Sequence, residues 1–167
     1  TLPAGVVVAQ HMPERFTAAF ADRLARTTPF SVQEARDGDV VAAGRVLVAP
    51  GGTILEVARD PAGTLRAAVL RPEAGSPRHR PSVDRLFASV ARAVGPRACG
   101  VVLTGMGRDG RAGLAEMRRA GALTLAEAAE TAVVYGMPQA AAEGGAVDEL
   151  LALPALAERI VRFGRVH

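Results

Sequence analysis

The sequence has 167 residues, 49% hydrophobic and 22% charged, with 20 basic and 17 acidic side chains for a net charge of +3; this is globular composition, long enough for a real core, and it excludes a disordered chain. Every basic residue is Arg and there is no Trp, so no basic block with interleaved aromatics marks a nucleic-acid partner. No apolar run nears the roughly 20 residues of a membrane span, and no secretory signal opens the chain. Cys99 stands alone, which excludes an internal disulfide and fits a reducing compartment, so a cytoplasmic protein without membrane insertion is expected. Three dispersed histidines and one cysteine offer no zinc spacing, and neither a metal nor another cofactor is expected.

Residues 5–9 (GVVVA) read as a short buried strand, and 14–26 as a helix whose apolar stripe is Phe16, Phe20 and Leu24. The runs SVQEA, RVLVAP, TILEVA and TLRAAVL have β character, and DPAG at 60–63 turns the last two into a hairpin. RPEAGSPRHRP is an irregular loop. Residues 82–94 read as a helix with Ser82 as N-cap and Leu86, Val90 and Val94 on its buried line. After Gly95-Pro96 the pattern alternates: a strand at 100–104, a glycine loop, a helix at 111–120 and a strand at 122–126. A loop through VVYGMP, a short helix, a strand near Ala146–Asp148 and a helix from Leu153 follow. Alternating β and α predicts a doubly wound α/β fold over residues 1–167, with a mostly parallel sheet, one antiparallel hairpin and helices on both faces.

The loop in VVLTGMGRDGRAGL reads G-x-G-x-x-G at Gly105, Gly107 and Gly110. One reading is a dinucleotide-binding domain, with Glu127 or Glu130 near the expected acidic spacing. Against it, the loop follows a hundred residues of other structure, and the Asp109 charge at the helix entrance would repel a pyrophosphate. The other reading gives Asp109 a chemical task, because reactive groups of open α/β sheets gather at the carboxyl ends of strands. His11, in VVVAQHMPERF, also follows a strand, and a His and an Asp on two strand ends are two parts of a hydrolytic triad. The plain alternatives are a helix-capping Asp109 and a structural His11. His79, in the irregular loop, and His167, the last residue, are poorer candidates for a base.

QHMPERFTAAFADRL, VLVAPGG, HRPSVDRLFASVA and GVVLTGMGRDGRAGLAEMRRAGALTLAEAAETAVVYGMPQAA, in that order, make the chain from Val6 to about Ile160 similar to the catalytic domain of the CheB-type chemotaxis methylesterases. The resemblance implies a serine hydrolase that removes methyl groups from glutamates of the chemoreceptor cytoplasmic domain, with glutamine deamidation as a further activity. It implies a Ser-His-Asp triad in which the histidine of QHMP falls on His11 and the aspartate of TGMG-x-DG on Asp109, with the Met106 backbone amide as the oxyanion donor. A receiver domain or other signalling protein is an implied further partner. Met12, Met137 and Gly105 are weaker candidates for contact with substrate. Arg78 and Arg80 are candidates for contact with an acidic receptor surface, or else belong to a solvated loop.

One departure is large. The family's nucleophile lies in a G-x-S-x-G-G turn after a first strand, and these residues contain no such motif. Ser82 fits a helix cap, Ser89 a helix body, Thr104 a strand end and Cys99 a strand start, while Thr1 as an N-terminal nucleophile belongs to a different architecture. The expectation is therefore a fragment whose nucleophile strand lies upstream of Thr1, with two strand edges left unpaired and little activity of its own. The alternative of another class is a non-catalytic receptor-binding module.

Overall fold

The computed structural model describes residues 2–76 and 78–166. They divide into two compact units, the first ending at Leu86 and the second starting at Phe87. In the first unit, strands β1 (Val6–Val8), β2 (Ser31–Glu34) and β3 (Arg45–Val48) form a parallel sheet in the order β1-β3-β2, with Val7 and Gln33 both paired to Leu47. Leu47 and Val48 are fully buried, as the central strand of a parallel sheet requires. Strands β4 (Ile54–Arg59) and β5 (Leu65–Leu70) make the expected antiparallel hairpin. At its turn Asp60 accepts the amides of Ala62 and Thr64 and the Arg66 guanidinium. The Arg66 bond, first among these, holds the Asp60 carboxyl below its ordinary range.

Helix α1 (Glu14–Thr27) packs on β2 and β3, but not on the expected stripe. Its buried residues are Thr17 and Ala21, while Phe16 is 46% exposed with the Arg15 guanidinium 4.7 Å above its ring. Small residues let the helix axis approach the sheet, and the buried hydroxyl is satisfied: Thr17 Oγ1 donates to Glu34 and accepts the Gly51 amide. The apolar period alone favours the larger side chains, which is why it names the neighbouring line.

The boundary between the units falls within helix α2 (Val83–Val94), where Ser82 is the cap the sequence predicts, its Oγ accepting the Arg85 amide at 3.3 Å. The second unit holds β6 (Cys99–Val102), α3 (Arg111–Arg119), β7 (Leu123–Glu127), α4 (Gly136–Glu143), β8 (Glu149–Leu151) and α5 (Leu153–Gly164). Its strands are parallel in the order β6-β7-β8. Val102, Leu114, Met117, Ala126 and Ala141 form the core, with Phe87, Val90, Val94 and Met137 packed around them. β8 begins three residues later than expected because Asp148 serves as an anchor rather than a strand residue. Its carboxylate accepts the Thr124 amide and hydroxyl and pairs with Arg118 at 2.8 Å.

The mostly parallel α/β pairing with one antiparallel hairpin is thus present, as two three-stranded sheets and a two-stranded one. β1 and β6 each have a single hydrogen-bonded neighbour among the described strands. No helix among the described residues is long and apolar enough to cross a membrane.

Candidate functional site

In the first unit His11 lies three residues beyond the end of β1 and is half-buried. Its ring stacks on that of His79, with centroids 4.8 Å apart and planes 17° from parallel. Sequence reasoning set His79 aside as a loop residue; the structure makes it the neighbour of His11. Met12 is half-buried beside His11, and Arg78 and Arg80 are exposed. The Arg80 carbonyl accepts the Gly52 amide at 3.3 Å, so this part of the loop is tied down through its backbone.

In the second unit the glycine loop runs from the end of β6 to α3. Gly107 (φ 100°) and Gly110 (φ 101°) take left-handed conformations closed to other residues without strain, and Gly110 is the N-cap of α3. Asp109, immediately before that cap, is 7% exposed. The loop is stitched to residues 133–137. Thr104 Oγ1 accepts the Val134 amide at 2.8 Å, the Gly105 amide donates to Val134 O at 2.9 Å, and Gly105 O accepts the Met137 amide at 2.8 Å. The space where a Gly105 side chain would stand is filled by Met137 Sδ, 2.5 Å from the ideal Cβ position. Gly105 and Met137 therefore serve the loop's own architecture.

These bonds fix one peptide in particular. The unit joining Gly105 to Met106 is planar, with its C=O and N–H on opposite sides. Because the carbonyl is held by the Met137 amide, the direction of the Met106 N–H is set as well. That N–H donates to no group among the described residues, and the Met106 side chain is 83% exposed. A fixed donor with nothing to bond is what an oxyanion site requires.

Glu127, at the end of β7, was legible only as a ribose ligand and does something else. It is 2% exposed and its Oε2 accepts the Thr104 amide at 2.8 Å, two residues before Met106. Glu127 is thus taken up by the loop's own backbone and is not open to a ribose, while Glu130 is exposed, and both backbone groups of Gly105 are occupied rather than turned to a pyrophosphate.

The substitute nucleophiles are poorly suited. Ser82 caps α2, Ser89 is 1% exposed, and the Thr104 hydroxyl is held by the Val134 backbone. Burial pushes the Cys99 thiol up to about 12, with Arg159 opposing and Glu149 adding to the rise, so the nucleophilic thiolate is suppressed. Thr1 and His167 lie outside the described residues. Among the described residues no group of three or more His, Cys, Asp or Glu could hold a metal ion.

A family model described as CheB methylesterase matches residues 1–160. A protein-glutamate methylesterase/protein-glutamine glutaminase of Anaeromyxobacter dehalogenans is 67% identical over 166 residues, covering 98% of this chain and 47% of the relative. One from Geobacter sulfurreducens is 49% identical over 160 residues, covering 96% of this chain and 43% of that protein. The chain thus spans about half the length of the curated relatives it matches. The crystal structure of the Thermotoga maritima CheB methylesterase catalytic domain superposes with a TM-score of 0.90 at 35% identity, over 96% of this chain and 84% of that one.

Proposed function

The chain belongs to the CheB methylesterase family, and from that premise we propose that it serves the hydrolysis of glutamate methyl esters on the cytoplasmic domain of chemoreceptors. In this reading water and the ester give a carboxylate and methanol. A glutamine side chain passes through the same kind of tetrahedral intermediate with ammonia as the leaving group, in keeping with the double name of the relatives. His11 takes the proton of the attacking oxygen and returns one to the leaving group. Asp109 takes the part of the triad aspartate, the group that keeps a catalytic imidazole in its working tautomer and favours its protonated form. The Met106 N–H receives the developing oxyanion.

The observation that carries the reading is the pinned Gly105–Met106 peptide, whose N–H is oriented before any substrate arrives. Its surroundings favour a macromolecular substrate. Leu103, Met106, Val133 and Val134 are exposed apolar side chains on the two segments that the loop's hydrogen bonds join, and exposed apolar patches mark protein contacts. The exposed Arg78 and Arg80 suit an acidic receptor surface. No residue of the chain is assigned as nucleophile.

The test is methanol release from a receptor cytoplasmic fragment carrying methylated glutamates, comparing the full-length natural protein with its His11→Ala and Asp109→Asn variants. Release that both substitutions suppress at least about 10³-fold supports the reading. Receptor binding with no methanol release would assign a binding role instead.

A further inference from the structure

We propose that His79 is a positioning residue for His11, its ring setting the plane of the His11 imidazole; the catalytic consequence rests on the reading of His11 as the base. The terminal torsion of a histidine side chain is broad and roughly two-fold, so the backbone alone does not fix where the two ring nitrogens point. A general base works only when that direction brings a nitrogen within hydrogen-bond reach of the proton it takes. His79 supplies a constraint from the face of the ring. At 4.8 Å between centroids and 17° between planes, the two rings stack within the range of aromatic pairs. Stacking engages the ring face and leaves the nitrogens, which lie in the edge, for hydrogen bonds.

The loop that carries His79 is tied down beside it. The next residue, Arg80, is held through its carbonyl by the Gly52 amide, and Ser82 begins α2 as its cap. His11 is likewise fixed between the end of β1 and the start of α1. The end of β1 and the loop before α2 thus present two rings to each other. His79 is exposed where His11 is half-buried, so it is the outer ring and shields one face of the inner one from water.

The experiment compares the full-length natural protein with its His79→Ala and His79→Phe variants at pH 8. Carbon-proton spectra of the histidine rings read the stack directly. His79→Ala is expected to move the His11 ring signals away from their stacked, shielded position, and His79→Phe to return them toward it, with thermal melts unchanged in both. Methanol release from methylated receptor fragments is expected to fall about 10- to 100-fold in kcat for His79→Ala with KM unaltered, and to recover in His79→Phe. His11 signals that ignore His79→Ala, or a phenylalanine that fails to rescue them, would overturn the stack. A restored stack with kcat indifferent to His79→Ala would overturn the positioning role. If the wild type itself releases no methanol while the spectra behave as expected, the assigned reaction fails and the ring clamp stands.

Discussion

Substituting Gly136 by Ala tests whether the Met106 amide is held by its surroundings. An ideal Cβ on Gly136 would stand 2.9 Å from Gly105 O, 3.2 Å from Gly107 N and 3.3 Å from Met106 Cα. All three are backbone atoms, inside the 3.5–4.0 Å at which carbon contacts are comfortable, so the loop must move rather than a side chain swing aside. Overpacking of this kind costs about 1–3 kcal/mol. Gly136 opens α4 without a positive φ, so Ala recovers up to about 1 kcal/mol of helix propensity there. The net loss of stability is then about 0–3 kcal/mol, read by urea denaturation. The displaced peptide is the one joining Gly105 to Met106, and losing one oxyanion donor costs about 10²–10³ in rate. Methanol release from methylated receptor fragments by the full-length natural protein should fall by that factor, far more than the stability change accounts for, and the Met106 amide resonance should shift. A wild-type amide resonance together with an unchanged rate would falsify the argument that this peptide is pinned for catalysis.

Three further outcomes follow from the second unit. Glu127→Ala strands the Thr104 amide and should cost about 1–3 kcal/mol in denaturant, whereas Glu127→Gln keeps an acceptor and should cost under about 1 kcal/mol; equal losses would mean that the acceptor is not what matters. The Cys99 thiol, pushed up to about 12 by burial, should be about a thousandfold poorer in thiolate at pH 8 than one at its unperturbed 9.0. Thiol reagents should therefore label the native chain far more slowly than the urea-unfolded one, and equal rates would contradict the burial. Burial tends to raise the Asp148 carboxyl, but the bonds from Arg118 and Thr124 outweigh it and hold the group below its ordinary range. A depressed acid stabilises the fold above its unfolded value near 3.9 and loses that contribution as pH falls through the folded value. The melting-temperature gap between wild type and Asp148→Asn should thus narrow below about pH 4, and a gap constant from pH 7 to 3 would exclude the linkage.

Periodicity located the elements of this fold well because most of them bury one apolar face. β3, the β4–β5 hairpin and α2 with its Ser82 cap lie where their residue patterns place them. The misses have a common origin in polar residues that the fold uses internally. In α1 the buried line contains Thr17, whose hydroxyl is worth burying only because Glu34 and the Gly51 amide meet it from other elements. Asp148 displaced the start of β8 for the same reason: its partners Thr124 and Arg118 are 24 and 30 residues away. A local reading prices such side chains as solvent-facing, since nothing nearby in sequence satisfies them.

The site shows the same division more sharply. His11, Met106 and Asp109 of the proposed site are named by short motifs, and a motif is a local object. Glu127 was visible only as an acidic residue at a suggestive spacing, and its bond to Thr104 reverses that reading. His79 was dismissed because nothing in HRPSVD indicates what its ring faces; the partner lies 68 positions earlier, beyond β1. Both residues act on their targets through contacts rather than chemistry of their own, one holding a backbone amide and the other an imidazole plane. Side chains that touch substrate must bring particular chemistry and so leave a pattern. Side chains that hold them need only shape and one hydrogen bond, which many residue types supply, and that looseness leaves supporting residues unmarked until the fold is known.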